Sequence, residues 1–536
     1  MKRILYFLLA LLGIQLPAIS QTNADLEVNE IRARVNARGV LFHNSAISNC
    51  LFEVPVGHGT HAIYTTNFWM AGYKSSVNLK VAAGTDGYSG NDYAYGPIAN
   101  DYSSQEYIDR YNRVWYITRG EVLHHISNYN NPEYTMPFSI TSWPGNGNVQ
   151  NGEALYLAPY ADVNSNGFYD PENGDYPEIR GDMAIYYIMN DKKNPHYYSH
   201  GEQLGVELHG MLYGYEVATG SALKEVVFLN VRVFNRLAAN MLTNYHLAIY
   251  NDFDLGGPND DYVGTDVALN MTYVYNADNM DANAAGALGY QEAPPAVGCM
   301  LLNSTISKSL SYGANSSTNA GNPSEAQHYY NYIRGRWKDG SSLKYGGHGV
   351  TGTENTNYIY TGYPELSEGW SEYALYHSSS DRRILMSVGP LSFSSRTSFC
   401  LDYAFVYARD FEGTHLTSIA ALREKAALVQ DFYDSMNFDC DPTPTEYPLV
   451  SVSELDRSRC CSVTVTPNPA HRFTRFSSNS IIKVLKIMDV NGSVVESHEV
   501  NSSVSELSLN GLKSGVYVYH ALLENGTVQT GKLVVI

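Results

Sequence analysis

Apolar and polar residues alternate with a period of two over much of this chain, and that period belongs to β-strands. It predicts strands over 62–73, 114–118, 184–189, 226–234, 245–250, 384–388 and 401–407. In the fourth of these, Val227, Leu229, Val231 and Val233 fall on one side, with Phe228, Asn230, Arg232 and Phe234 on the other. That is the pattern of a half-buried strand. Long polar stretches separate the strands, so the expected body is mainly β, a β-sandwich with long loops. Helical spacing is rarer. Thr118 and Glu121 form a capping box ahead of a short helix that ends near His125. Ser324 and Gln327 repeat that spacing before 329–333, and a helix over 417–435 carries Ile419, Leu422, Ala426, Val429 and Tyr433 on one face. The stretch 463–536 returns to the strand period. Val516 and Val518 alternate with Tyr517 and Tyr519, and Asn491-Gly492 and Asn525-Gly526 supply the positive φ of tight hairpins. It reads as a small immunoglobulin-like antiparallel sandwich.

The start of the chain departs from this pattern. Lys2 and Arg3 precede an apolar run over 4–14, and Ala18-Ile19-Ser20 offers small residues for a signal peptidase. This is a secretory signal peptide with cleavage expected before Gln21. Its core is too short to cross a bilayer, and no later segment is long and apolar enough. The expected organisation is a signal peptide (1–20), a body (21–436), a linker (437–462) with Pro442, Pro444 and Pro448, and the terminal domain (463–536). A formal net charge of −19 argues against nucleic acid and anionic membrane as partners. Charged residues make up only 17% while Tyr reaches 44 copies, which suits strands and polar-tipped aromatic surfaces for glycan or protein contact. Of the six cysteines, Cys440 with Cys460 or Cys461 is the expected bridge, by proximity.

The terminal stretch carries separated motifs: Thr466-Pro467-Asn468-Pro469-Ala470, then 487–492 ending in Asn491-Gly492. Leu512-Lys513-Ser514-Gly515-Val516-Tyr517 and Lys532-Leu533-Val534-Val535-Ile536 follow. In this order they resemble the type A C-terminal sorting domain of the type IX secretion system. The resemblance implies export across an outer membrane by that machinery, with Pro467, Asn468, Pro469, Gly492, Leu512, Gly515, Tyr517 and Lys532 as the motif residues. The protein would be secreted, or attached to surface polysaccharide. Phrases of the body, among them Gly174-Asp175-Tyr176-Pro177 and Asp381-Arg382-Arg383, resemble a recurrent group of type IX cargo proteins of no assigned activity.

Chemistry concentrates in two acidic segments. Asp162, Asn164 and Asn166 place oxygen side chains at alternate positions, Gly167 permits the turn, and Phe168 can offer its carbonyl, as at the start of an EF-hand-type loop. A bidentate glutamate would close such a loop where Asn173 stands, so closure falls to Asp170, Glu172 or Asp175. Pro159 and Pro177 bracket the loop and exclude flanking helices. A structural calcium site is the expectation, against a metal-free Asx-turn loop. In the second segment, Asp252 and Asp254 follow a strand and could share a cation with Asp260 or Asp261. A solvated acidic loop ranks second, and a glycosidase acid and base last, because no apolar pocket in the sequence would raise one carboxyl pKa. His58 and His61 lie on a glycine loop without a third zinc ligand. His-Glu-x-x-His, Gly-x-Ser-x-Gly and papain-like motifs are missing. The expectation is a calcium-stabilised, non-enzymatic binding or adhesion protein, with a secreted glycan or peptide hydrolase using Asp252, Asp254, His58 or His61 as the rival.

Overall fold

The computed structural model describes residues 21–44, 49–75, 77–85, 90–239, 241–436, 438, 463–488, 494–509, 511–524 and 528–535. The expected signal peptide, the linker but for Phe438, Cys440, Cys460, Cys461, Gly492 and the two Asn-Gly turns lie outside them. The chain divides into two compact units, Met1–Leu449 and Val450–Ile536.

The first unit is built on two antiparallel sheets. A nine-stranded sheet includes, side by side, Ala296–Leu301, Ser398–Ala408, Val226–Asn235, Val206–Gly214 and Met183–Asn190. A five-stranded sheet runs Lys308–Tyr312, Arg382–Phe393, Leu242–Phe253, Thr65–Ser75, Asn78–Ala83. Their inner faces meet through aromatic pairs. Phe68 lies 6.2 Å from Tyr403 and Tyr245 lies 6.2 Å from Phe399, while Phe42, from the segment just before His43–Asn44, packs edge-on at 4.8 Å against Phe405. A helix covers the outer face of each sheet. His415–Ser435 sets Phe432 5.9 Å from Phe228 on the larger sheet, and Ala326–Ile333 sets Tyr329 4.8 Å from Trp69 on the smaller. The expected alternation is therefore present in Val226–Asn235, but its second face is only half polar: Phe228 is buried under the long helix.

All seven expected strands are present, several of them longer. The capping box at Thr118 opens a helix that runs on to Asn128. The spacing at Ser324 does not cap its helix, which begins after Glu325 with no side-chain cap. Unexpected is Val206–Gly214, buried at every position. With both faces covered it shows no polar period, and Glu207, His209 and Gly210 interrupt its apolar run. Gly210 is demanded by packing, since a Cβ there would stand 2.0 Å from the buried Tyr187 ring. Cys400 is disulfide-bonded, whereas Cys50 and Cys299 are buried thiols.

In the second unit five antiparallel strands enclose a core of Phe476, Ile482, Leu485, Ile487, Tyr519, Ala521 and Leu533 among others. The long strand Phe473–Met488 shifts register between Ser477 and Ile482. Its first half can thus pair with Val463–Thr466 and its second with Gly515–Leu523, closing a sandwich-like sheet. Tyr519, not Val516, faces the core; Val516 is 41% exposed. Asn468 ties the motif at the start of the unit to its end: its amide donates to the Lys532 carbonyl at 2.6 Å and accepts the Val534 N–H at 2.8 Å. Thr474 Oγ1 donates to the Pro467 carbonyl, Pro469 precedes the buried Ala470, and Leu512 packs against the core. Gly515 pairs with Val535, and the Tyr517 hydroxyl donates to the Lys513 carbonyl.

Candidate metal centre and surface groove

One acidic cluster forms where two long strands of the smaller sheet end. Register places Asp252 directly opposite Arg383. The Arg383 Nε lies 3.3 Å from Asp252 Oδ2, and its Nη2 lies 3.0 Å from Asp381 Oδ2. The Tyr250 hydroxyl also donates to Asp252 Oδ2, at 3.2 Å. Asp254 follows Asp252 by the strand period, and Asp381 precedes Arg383 by the same period, so all four converge on one side. Asp252, Asp254 and Asp381 each place a carboxylate oxygen within 4.8 Å of the others. Burial, opposed by Arg383 and reinforced by Asp254, raises the Asp252 carboxyl well above the usual range. Burial and then Asp381 push Asp254 up to about 7. The Cys50 thiol senses the same field; burial, then Asp254, push it up to about 12.

The expected partners Asp260 and Asp261 do not complete this cluster, and the segment is not a solvated loop. Asp261 is buried at the start of the strand Asp261–Asp266, where its Oδ2 accepts the Leu255 N–H at 3.0 Å. Asp260 is partly buried, and burial raises its carboxyl. Asp281, which the sequence did not single out, folds the intervening glycines: it accepts the N–H groups of Gly257 at 2.9 Å and Tyr290 at 2.6 Å. The third member of the cluster, Asp381, comes from a distant segment. Its only sequence signal was the Asp381-Arg382-Arg383 phrase. The absence of an apolar setting, which had ranked catalysis last among the readings of Asp252 and Asp254, does not hold in the fold, because burial raises both carboxyls.

The Asp162–Asp175 loop is a separate construction. Tyr160–Ala161 and Tyr176–Pro177 pair at its base. Asp162 accepts the N–H groups of Asn166 at 3.1 Å and Gly167 at 2.7 Å. The amides of Asn164, Asn166 and Asn173 all converge on Asp170, at 3.0, 2.7 and 2.8 Å. Asp175 is wholly buried and accepts from Val163 N at 2.8 Å and Asp170 N at 2.9 Å. Its carboxyl is pushed up to about 6, by burial first, and Asp170 beside it adds to the rise. Gly167 adopts φ +82°, and the Phe168 ring is exposed. Oxygen donors from Asp162, Asn164, Asn166, Asp170 and Asp175 thus lie within one short loop, a donor set suited to a hard cation.

His58 is exposed and His61 half-buried; burial lowers the His61 pKa. Glu53 Oε1 holds their loop by accepting Gly57 and Gly59 N–H at 2.8 and 3.0 Å. Neither histidine belongs to a group of three potential metal ligands among the described residues.

A groove of about 520 Å³ opens elsewhere, lined by Asn23, Asn36, Asn112, Asn194, Arg38 and Tyr95 among others. Lys193 stands 3.8 Å over the Tyr95 ring at its wall. Nothing local in the sequence marked these residues, because they come from five separate segments.

Residues 464–536 match the secretion system C-terminal sorting domain family. The chain is therefore a type IX secretion cargo protein, delivered to the cell surface or the extracellular space. No helix among the described residues is long and apolar enough to cross a membrane. No curated protein matches the chain. Among solved structures, a polysaccharide lyase matches at 9% identity and a TM-score of 0.20, over 68% of this chain and 37% of its own. CopC from Methylosinus trichosporium OB3b matches at 15% identity and a TM-score of 0.12, over 14% of this chain and 91% of its own.

Proposed function

We propose that the exported body is a non-enzymatic binding protein for extracellular polysaccharide, serving adhesion or matrix attachment, with calcium stabilising its Asp162–Asp175 loop. The observation that carries this reading is the groove. Side-chain amides, a guanidinium, an ammonium and an aromatic ring line it, in a protein that is otherwise acidic. Amides offer paired donors and acceptors to sugar hydroxyls, and Arg38 and Lys193 favour chains bearing carboxylate or sulfate. Calcium would be held by Asp162, Asn164, Asn166, Asp170 and Asp175, with the Phe168 carbonyl. Its role there is mechanical, since an ion bound to the folded state alone adds its binding free energy to stability.

The test is a glycan array probed with the full mature protein. Binding to acidic polysaccharide, weakened about tenfold or more in Arg38→Ala or Asn194→Ala, supports the reading. Equal binding by both variants, or none by the parent, removes it.

A second reading, a secreted hydrolase of glycan or peptide, draws on the short separation of the Asp252 and Asp254 carboxylates, which is near that of paired glycosidase acids. Turnover of a polysaccharide that disappears in Asp254→Asn would replace the binding reading with this one.

A further inference from the structure

We propose that Asp252, Asp254 and Asp381 hold one divalent cation of the calcium class at the end of the smaller sheet, with Arg383 as the positioning residue.

The distances fit a single ion. Calcium takes carboxylate oxygens at about 2.4 Å, so two oxygens on opposite sides of one ion stand at most about 4.8 Å apart. The three carboxylates each offer an oxygen within 4.8 Å of the other two. Charge points the same way. With all three carboxylates ionised against one guanidinium, two negative charges remain, and a divalent ion cancels them in place of protons. Such a charge left in a low-dielectric setting is costly.

A separate observation concerns the remaining oxygens. Asp252 Oδ1 and Asp261 Oδ1 are both buried and take no hydrogen bond. Asp252 is 6% exposed and Asp261 is fully buried. Asp261 lies outside the trio. Buried carboxylate oxygens nearly always have a partner. Asp381 Oδ1 is likewise buried without a hydrogen bond, so two members of the trio each carry an unpartnered oxygen that a bound cation would satisfy. Arg383 bridges Asp252 and Asp381 and so fixes the spacing between segments far apart in sequence.

This site is distinct from the Asp162–Asp175 loop and does not depend on the glycan reading. The experiment therefore uses the full mature protein carrying Asp170→Asn, which weakens the loop site. Chelator-treated protein is titrated with calcium chloride by calorimetry, and its thermal midpoint is followed. The expected result is one calcium ion per chain and a midpoint that rises with calcium. Adding Asp381→Asn, at a partly exposed position, should abolish both responses while the protein still unfolds cooperatively. No calcium binding in the Asp170→Asn protein would overturn the proposal whatever the second variant does. So would binding that survives Asp381→Asn and Asp254→Asn unchanged.

Discussion

The Arg236 guanidinium lies 2.8 Å from the wholly buried carboxylate of Glu207. Glu207 also receives His209 Nε2 at 2.7 Å and the Ile98 N–H at 2.7 Å, and His209 Nδ1 pairs with the Tyr186 hydroxyl at 2.8 Å. Burial alone would raise the Glu207 carboxyl, but Arg236 and His209 outweigh it and hold it down at about 2. Above the ordinary value of 4.5 this pairing contributes its full stabilisation. As pH falls from about 4.5 toward about 2, the unfolded chain takes up a proton that the folded chain refuses, and the stabilisation is lost.

Glu207→Gln should therefore destabilise the body by about 3–5 kcal/mol at neutral pH, because it leaves the Arg236 charge without its carboxylate. It should also flatten the acid limb of the stability profile. Denaturant unfolding between pH 2 and pH 7 measures both. An unaltered acid limb would show that Glu207 is not the group responsible.

Gly210→Ala should cost more than about 2 kcal/mol, as an overpacked core does. The added methyl meets the Tyr187 ring at 2.0 Å, and that ring is completely buried. Gly220→Ala is the control for size, since nothing lies within 4 Å of a Cβ there, although its φ of +90° carries a strain of its own. The difference between the two variants in thermal unfolding is a lower bound on the packing term, because the strain at Gly220 is subtracted from it.

Asn468→Ala should loosen the last strand of the sorting domain by about 1–2 kcal/mol, since both hydrogen bonds of its amide are lost. Export should fall accordingly. The fraction of protein reaching the medium, compared with that retained in the periplasm, is the measurement, and normal export would separate the motif from its structural role.

Chelator should lower the thermal midpoint of the mature protein, and Asp162→Ala should remove part of that response. An ion present at a hundred times its dissociation constant adds about 2.7 kcal/mol to the folded state. If the midpoint is the same with and without chelator, calcium has no part in stability.

Much of the fold was readable along the chain where a strand has unlike faces. Val226–Asn235 announced itself because Asn230 and Arg232 break its outer face. Val206–Gly214 did not, because neighbours cover both of its sides, and its polar residues survive there only through the Glu207, Arg236 and His209 network. The long helix was legible from its apolar stripe; what it lies on was not. The acidic cluster was half legible. Asp252 and Asp254 stand out as a pair at the strand period, but Asp381 reaches them through pairing with a strand far away in sequence.

By itself the sequence determined the local matters: strand periods, the capping box at Thr118, the oxygen-rich loop and the ordered motifs of the sorting domain. Each depends on residues a few positions apart, so the pattern is written where it acts. Tertiary structure alone decided which acids meet, which face of Phe228 is hidden, and which amides share a groove. Those outcomes depend on the register between distant strands, where a slip of one residue would turn Asp252 to the opposite face.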